Sequence, residues 1–227
     1  MEKDTGNIKA HTTYKNSVGV RVPSVTTILS VLNKPALVPW ANKLGLQGID
    51  STKYVDEKAA IGTLAHEMIQ SFIRDKIAGA LFEDNLPIGI EDYTDYTPNQ
   101  VTQAKLSFSK FLKWYKENDI EPILSEQGFI SEFYQFGGTI DFLCKLSGKL
   151  TLVDFKTCKA IYSEHFIQLS AYEELLGEAG YPIDESRILR IGRDEDEGFE
   201  EFVRTDLACQ FLIFYHCGEI YRLRQEK

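Results

Sequence analysis

The sequence contains no run of about eighteen apolar residues, so no segment reads as a membrane-spanning helix. Its opening, Met1-Glu2-Lys3-Asp4-Thr5-Gly6, lacks the apolar core of a signal peptide, and the expected compartment is cytoplasmic. Cysteine is scarce and poorly spaced for metal binding. Cys144, Cys158, Cys209 and Cys217 form no C-x-x-C pair and read as reduced structural thiols rather than a zinc or iron–sulfur set. No internal repeat or low-complexity tract is present. Positive charge is not in excess either: the formal net charge of −9 argues against a broad DNA-coating surface. Acids crowd the stretch from Glu178 to Glu201, where only Arg187, Arg190 and Arg193 oppose them, whereas residues 1–60 carry more Lys and Arg than Asp and Glu. A bound nucleic acid would avoid the first region and approach the other end.

What is present is enough apolar residue for one sizeable core: 43% of 227 residues. The expectation is a single domain over 1–227, with a helical part over about 20–119, a sheet core over about 120–205 and a C-terminal segment from 206. The polar opening to about Gly19 reads as mobile at its tip. Ser24 caps a short helix carrying Val25, Ile28, Leu29 and Leu32, and a second short helix runs from about Val38 through Trp40 to Leu46. Ser51 is expected to cap a long helix to about Lys76, with Ile61, Leu64, Ala65, Met68 and Phe72 as its apolar stripe. His66 falls off that stripe and leans over Gly62, where no side chain fills the space. Residues 79–97 read as a loop, and Thr97-Pro98 starts a helix to about Asn118. Strands follow over about 122–133, then a hairpin, a helix over 163–178, and strands over 187–191 and 200–203. Asp206 caps a final aromatic-rich segment. This order predicts an α/β fold, a mixed sheet covered by helices beside a helical N-terminal half.

The hairpin, Phe136 to Leu146 and Leu150 to Phe155, carries the densest chemistry. A turn at Ser147-Gly148 puts Asp141 opposite Asp154; a turn at Gly148-Lys149 puts Asp141 opposite Lys156. With either turn, Asp141, Asp154 and Lys156 share one face, because strand side chains alternate. On the following helix, Gln168 interrupts an apolar face of Leu169, Ala171, Tyr172, Leu175, Leu176 and Ala179, while Ser170, Glu173 and Glu174 are expected outside. A buried amide costs free energy unless it is hydrogen-bonded. Taken singly, each residue has a plain structural reading: Gln168 a satisfied amide, Asp154 and Lys156 an edge ion pair, His66 a packed histidine, Glu126 a strand glutamate.

Together they form a series: Gly62-x-x-x-His66, Glu126, Gly138-x-x-Asp141, Asp154-x-Lys156 and Gln168-x-x-x-Tyr172. Its order and spacing resemble the RecB-like branch of the PD-(D/E)XK nucleases. Pro23-Ser24-Val25-Thr26-Thr27-Ile28-Leu29 and Ile191-Gly192-Arg193-Asp194-Glu195 resemble phage-type members, and the mitochondrial genome maintenance exonucleases carry a similar series. The resemblance spans roughly residues 20–205. It implies a restriction-endonuclease-like fold and a DNA nuclease, an exonuclease on single strands or ends, working with replication, recombination or repair proteins. By the same resemblance, His66, Asp141, Asp154 and the main-chain carbonyl of Phe155 hold a metal, Glu126 is a metal-site or outlying acid, and Gln168 and Tyr172 support the site and touch the DNA backbone. The four-cysteine iron–sulfur cluster of some members is not expected, since no cysteine precedes Gly62, and no helicase motor is expected.

The chemistry agrees with the resemblance. Two carboxylates at Asp141 and Asp154 repel, and a divalent cation resolves this. Oxygen donors suit Mg²⁺ or Mn²⁺, and one imidazole shifts preference toward Mn²⁺. Lys156 is expected to orient water or stabilise developing charge, its ammonium without a competing partner once both carboxylates hold metal. Ser24, Thr26 and Thr27 at a helix start suit a phosphate, and Trp40 and Tyr54 suit base stacking, although packing explains the aromatics equally well. The competing readings are a non-catalytic nucleic-acid-binding module on the same fold and a metallohydrolase of small phosphoesters.

Overall fold

Turn and cap chemistry place the first elements of the computed structural model, which describes residues 12–79 and 93–226. β1 (Tyr14–Lys15) and β2 (Arg21–Val22) pair antiparallel. The Tyr14 hydroxyl lies 2.7 Å from that of Thr139, so the polar opening is tied to the body from Tyr14 onward; residues 1–11 lie outside the described residues. Ser24 caps α1 (Val25–Leu29), accepting from the Thr27 N–H. α2 (Leu37–Leu46) follows and buries none of its residues. α3 (Ser51–Ile77) is capped by Asp50 rather than Ser51, because the Asp50 carboxylate reaches the N–H groups of Thr52 and Lys53. The expected loop over 79–97 falls largely in residues 80–92, outside the described residues. Thr97 and Gln100 form a reciprocal capping box that opens α4 (Pro98–Glu117).

The sheet follows: β3 (Ile120–Ser131), β4 (Phe136–Leu146), β5 (Lys149–Lys156), then α5 (Ser163–Glu178), β6 (Glu185–Ile191), β7 (Phe199–Arg204) and α6 (Ala208–Gln225). The five strands lie in the order β3-β4-β5-β6-β7. β5 and β6 are parallel, joined by α5, and the other pairs are antiparallel. This is the mixed α/β sheet expected, with helices on both faces.

Each face has its own core. On one side Phe142, Cys144, Val153 and Phe155 pack against Ile61, Leu64, Met68 and Ile69 of α3 and Phe108 and Phe111 of α4. α3 is buried over a wider arc than one stripe: Ile69 and Ile73, which are not on the expected stripe, are as buried as Ile61. The helix meets both α4 and the sheet, so two sides are covered. On the other side Phe136, Ile140, Leu143, Leu152 and Ile188 pack against α1, α5 and α6. α6 also changes the outer side of α5. Ser170, expected outside, is buried, and Glu173 is half-buried with its carboxylate bound to the Ser186 hydroxyl at 2.7 Å.

Candidate active site

The site begins as a fork between two strands. Ser147 and Gly148 both have positive φ, 51° and 83°, so they form the two-residue turn, and Leu146 pairs with Lys149. Of the two turns the sequence allowed, this one sets Asp141 against Asp154. The β4–β5 ladder ends at Phe142 and Val153. From there β4 continues along β3 to the Phe136–Ser131 pair, and β5 continues along β6 to the Lys156–Arg190 pair. The strands therefore part at the residues where Asp141 and Asp154 face each other. The Phe155 N–H, which would have joined the ladder, donates to Asp141 Oδ2 at 2.9 Å. Side-chain alternation in β4 also breaks here: Ile140 and Leu143 belong to the α5 side, Phe142 to the α3 side.

Asp154 is 1% exposed. Burial pushes its carboxyl up to about 6, Lys156 pulls the other way, and Asp141 adds to the rise. Lys156 Nζ sits 2.6 Å from Asp154 Oδ2. This is a close, buried ion pair. Burial opposes the Lys156 charge too, but Asp154 and then Asp141 outweigh it and hold the ammonium protonated. Lys156 is thus the cation paired with the buried carboxylate.

α3 supplies the opposite wall. His66 Nε2 lies 2.9 Å from the carbonyl oxygen of Phe155. Gly62, one turn earlier, faces Thr157: a Cβ there would stand 3.6 Å from the Thr157 Cβ, an ordinary van der Waals contact, and Gly62 and His66 together line an open cleft, as the sequence led one to expect. One turn later, Gln70 donates from its amide to the Glu126 carboxylate. Glu126 has φ of 54° and falls between the Ser125–Phe142 and Gln127–Ile140 pairs, opposite Asp141. Gln70 was not singled out in the sequence, although its i, i+4 spacing from His66 puts it on the same helix face.

The glycine of the Gly138-x-x-Asp141 series has a steric reason. A Cβ at Gly138 would meet the Tyr172 ring at 2.8 Å and Leu175 at 3.0 Å. Tyr172 lies across β4 because Gln168, one turn before it, donates to its hydroxyl at 2.7 Å. Burial, with Asp154 and Asp141 nearby, keeps the Tyr172 phenol well above its ordinary pKa, so it remains neutral.

A family model for the PD-(D/E)XK nuclease superfamily matches residues 40–207. The chain belongs to this superfamily. No curated protein matches it. Among solved structures, it is 10% identical to one named "Putative exonuclease" from Eubacterium rectale, with a TM-score of 0.44, covering 72% of this chain and 65% of that one. It is 16% identical to SSO0001, with a TM-score of 0.38, covering 59% of this chain and 64% of that one. The chain thus spans just under two thirds of the length of either structure.

Within this PD-(D/E)XK chain, a cleft of about 390 Å³ lies between α3 and the end of β5, lined by Gly62, His66, Gln70, Glu126, Phe155, Lys156, Thr157 and His165 among others. His165, in the first turn of α5, is a further residue the sequence reading did not single out. Among the described residues no three His, Cys, Asp or Glu side chains converge as a ready metal cluster. The backbone of Phe155 links His66 and Asp141, its carbonyl lying 2.9 Å from His66 Nε2 and its N–H donating to Asp141. The donor set nevertheless fits a hard divalent cation. Asp154 Oδ2 is a buried carboxylate oxygen whose charge Lys156 offsets, and His66 Nε2 and the Phe155 carbonyl are 2.9 Å apart. Neighbouring ligands of an octahedral ion at about 2.1 Å would be separated by about 3 Å.

The outlying candidates lie elsewhere. Ser24 is engaged as a cap, its hydroxyl 3.0 Å from that of Thr26 and 2.8 Å from that of Thr27, and it bridges to Gly137 at the far end of β4. Trp40 meets Tyr54 edge to face at 6.0 Å, and both remain about a third exposed. All four cysteines are free thiols. No helix among the described residues is long and apolar enough to cross a membrane.

Proposed function

We propose that this chain is a metal-dependent deoxyribonuclease, an exonuclease of the RecB-like, phage-related kind acting on single-stranded DNA or DNA ends in replication, recombination or repair. The observation carrying the reading is the fork, which sets Asp141 against the buried Asp154 with Lys156 beside it and His66 across the cleft. A Mg²⁺ or Mn²⁺ ion held by Asp141, Asp154, the Phe155 carbonyl and His66 would neutralise charge on the reacting phosphorus and lower the pKa of a water. Lys156, beside Asp154, could orient the attacking water or offset developing charge. The Phe155 N–H holds Asp141 in orientation, Gln70 holds Glu126, and the Gln168–Tyr172 pair holds the wall of β4.

The cleft is open to solvent, which suits a polymer better than a small phosphoester. A pure binding module has no need to bury a carboxylate against a lysine. The test is an end-labelled linear DNA and a closed circle of the same sequence, each with Mn²⁺, Mg²⁺ or EDTA. Cleavage of the linear strand alone, abolished by EDTA, is expected. Cleavage of the circle would replace the exonuclease reading with an endonuclease one. Failure to cut any DNA or RNA with either metal would overturn the nuclease assignment.

A further inference from the structure

The geometry points to His165 as a second contact to the substrate backbone: an uncharged imidazole whose Nε2–H donates to a phosphodiester oxygen of the strand lying in the cleft. This rests on the nuclease reading above and adds a residue to it. His165 lines the same cleft as Lys156 and His66. Its tautomer is fixed by the backbone, because the Tyr162 N–H donates to Nδ1 at 3.3 Å. A nitrogen that accepts carries no proton, so the proton of the neutral ring is on Nε2, on the far edge of the ring from Tyr162. The Tyr162 ring stands edge to face against the imidazole at 5.7 Å and braces it. Among the described residues, no protein acceptor takes the Nε2 proton.

The surroundings keep this ring a donor and nothing else. Burial first, then the Lys156 ammonium, lowers its pKa to about 4, so the imidazole is neutral near physiological pH. With its proton on Nε2, it cannot serve as a base or metal ligand through that atom. An anionic acceptor is the group such a site takes. The ring occupies the first turn of a sixteen-residue helix, whose amino end favours an anion. Glu164, the acid in that turn, is already neutralised by Lys34 at 3.1 Å. A phosphate reaching Lys156 thus meets a donor at His165 without meeting an unpaired carboxylate on the same turn.

The test compares wild type, His165→Ala and His165→Gln on end-labelled single-stranded DNA with Mn²⁺, reading KM and kcat separately. The glutamine keeps an N–H near the position of Nε2. Loss of a hydrogen bond to a charged oxygen should raise KM about tenfold in His165→Ala, with kcat within about threefold, and His165→Gln should recover most of the loss. A substrate with one neutral methylphosphonate, moved along the strand, should reach a position where wild type and His165→Ala have the same KM. Equal KM for wild type and His165→Ala on ordinary DNA would overturn the assignment while leaving the nuclease intact. So would a glutamine variant as impaired as alanine at unchanged melting temperature, a fall in kcat alone, or a gap that persists at every methylphosphonate position. A wild type that cuts nothing would remove the nuclease reading, and this inference with it.

Discussion

Lys156 and Gly138 show how much depends on single atoms. Lys156 is nearly enclosed and paired with Asp154, so its removal leaves a buried carboxylate without its counter-charge. Lys156→Ala should still bind DNA in the presence of metal and lose cleavage by at least about a hundredfold. A variant that cuts at the wild-type rate in a gel assay would show that the chemistry lies elsewhere. Gly138→Ala places a methyl 2.8 Å from the Tyr172 ring. Overpacking of this kind costs about 1–3 kcal/mol, and a urea titration should show that loss. Wild-type stability would mean that the ring moves aside, and activity would then report whether the Gln168–Tyr172 contact matters.

Elements act by where they end. β4 and β5 do not pair to their tips, and their separation converts two neighbouring strand residues into facing carboxylates with a spare N–H at Phe155. β6 ends in a loop that holds itself: Arg193 binds Glu197 through both its main-chain N–H and its guanidinium. The Arg193 guanidinium brings the Glu197 carboxyl down to about 2 from 4.5, against the burial that would raise it. A folded-state pKa below the unfolded value means stability that is present above the unfolded pKa and lost as pH falls toward the folded one. Glu197→Gln should therefore melt below wild type at about pH 7, with the gap narrowing from about pH 5 to about pH 3. A gap independent of pH would assign the effect to packing alone. Lys110 of α4 fastens the same loop through the carbonyls of Gly192 and Asp194.

For the molecule as a whole, the walls of the cleft come from α3, the end of β5 and the start of α5, distant in sequence. An ion bridging the first two stabilises only the folded chain. Saturating Mg²⁺ or Mn²⁺ should raise the melting temperature, by about 2.7 kcal/mol of stability at a hundred times Kd. Asp154→Asn should abolish most of that rise and His66→Ala should reduce it. An unchanged melting curve across a metal titration of the wild type would remove these residues from the metal site.

The series Asp141, Asp154, Lys156, Gln168 and Tyr172 was legible because strand and helix periods fix which side chains share a face, and because Ser147-Gly148 suits a tight turn. The order of helices and strands was legible for the same reason. Caps were less so: Asp50 and Ser51 are both good caps, and only the direction of the chain chooses between them. What sequence alone determined is the local chemistry and the family series. Tertiary structure decided the rest: that β4 leaves β5 at Asp141, that Lys156 turns to Asp154, and that Gln70 and His165 face the cleft. Periodicity places a side chain on a face of its own element. Which group stands across from it depends on how far two strands stay paired and on which helix packs above, and those are set by burial across the whole sheet.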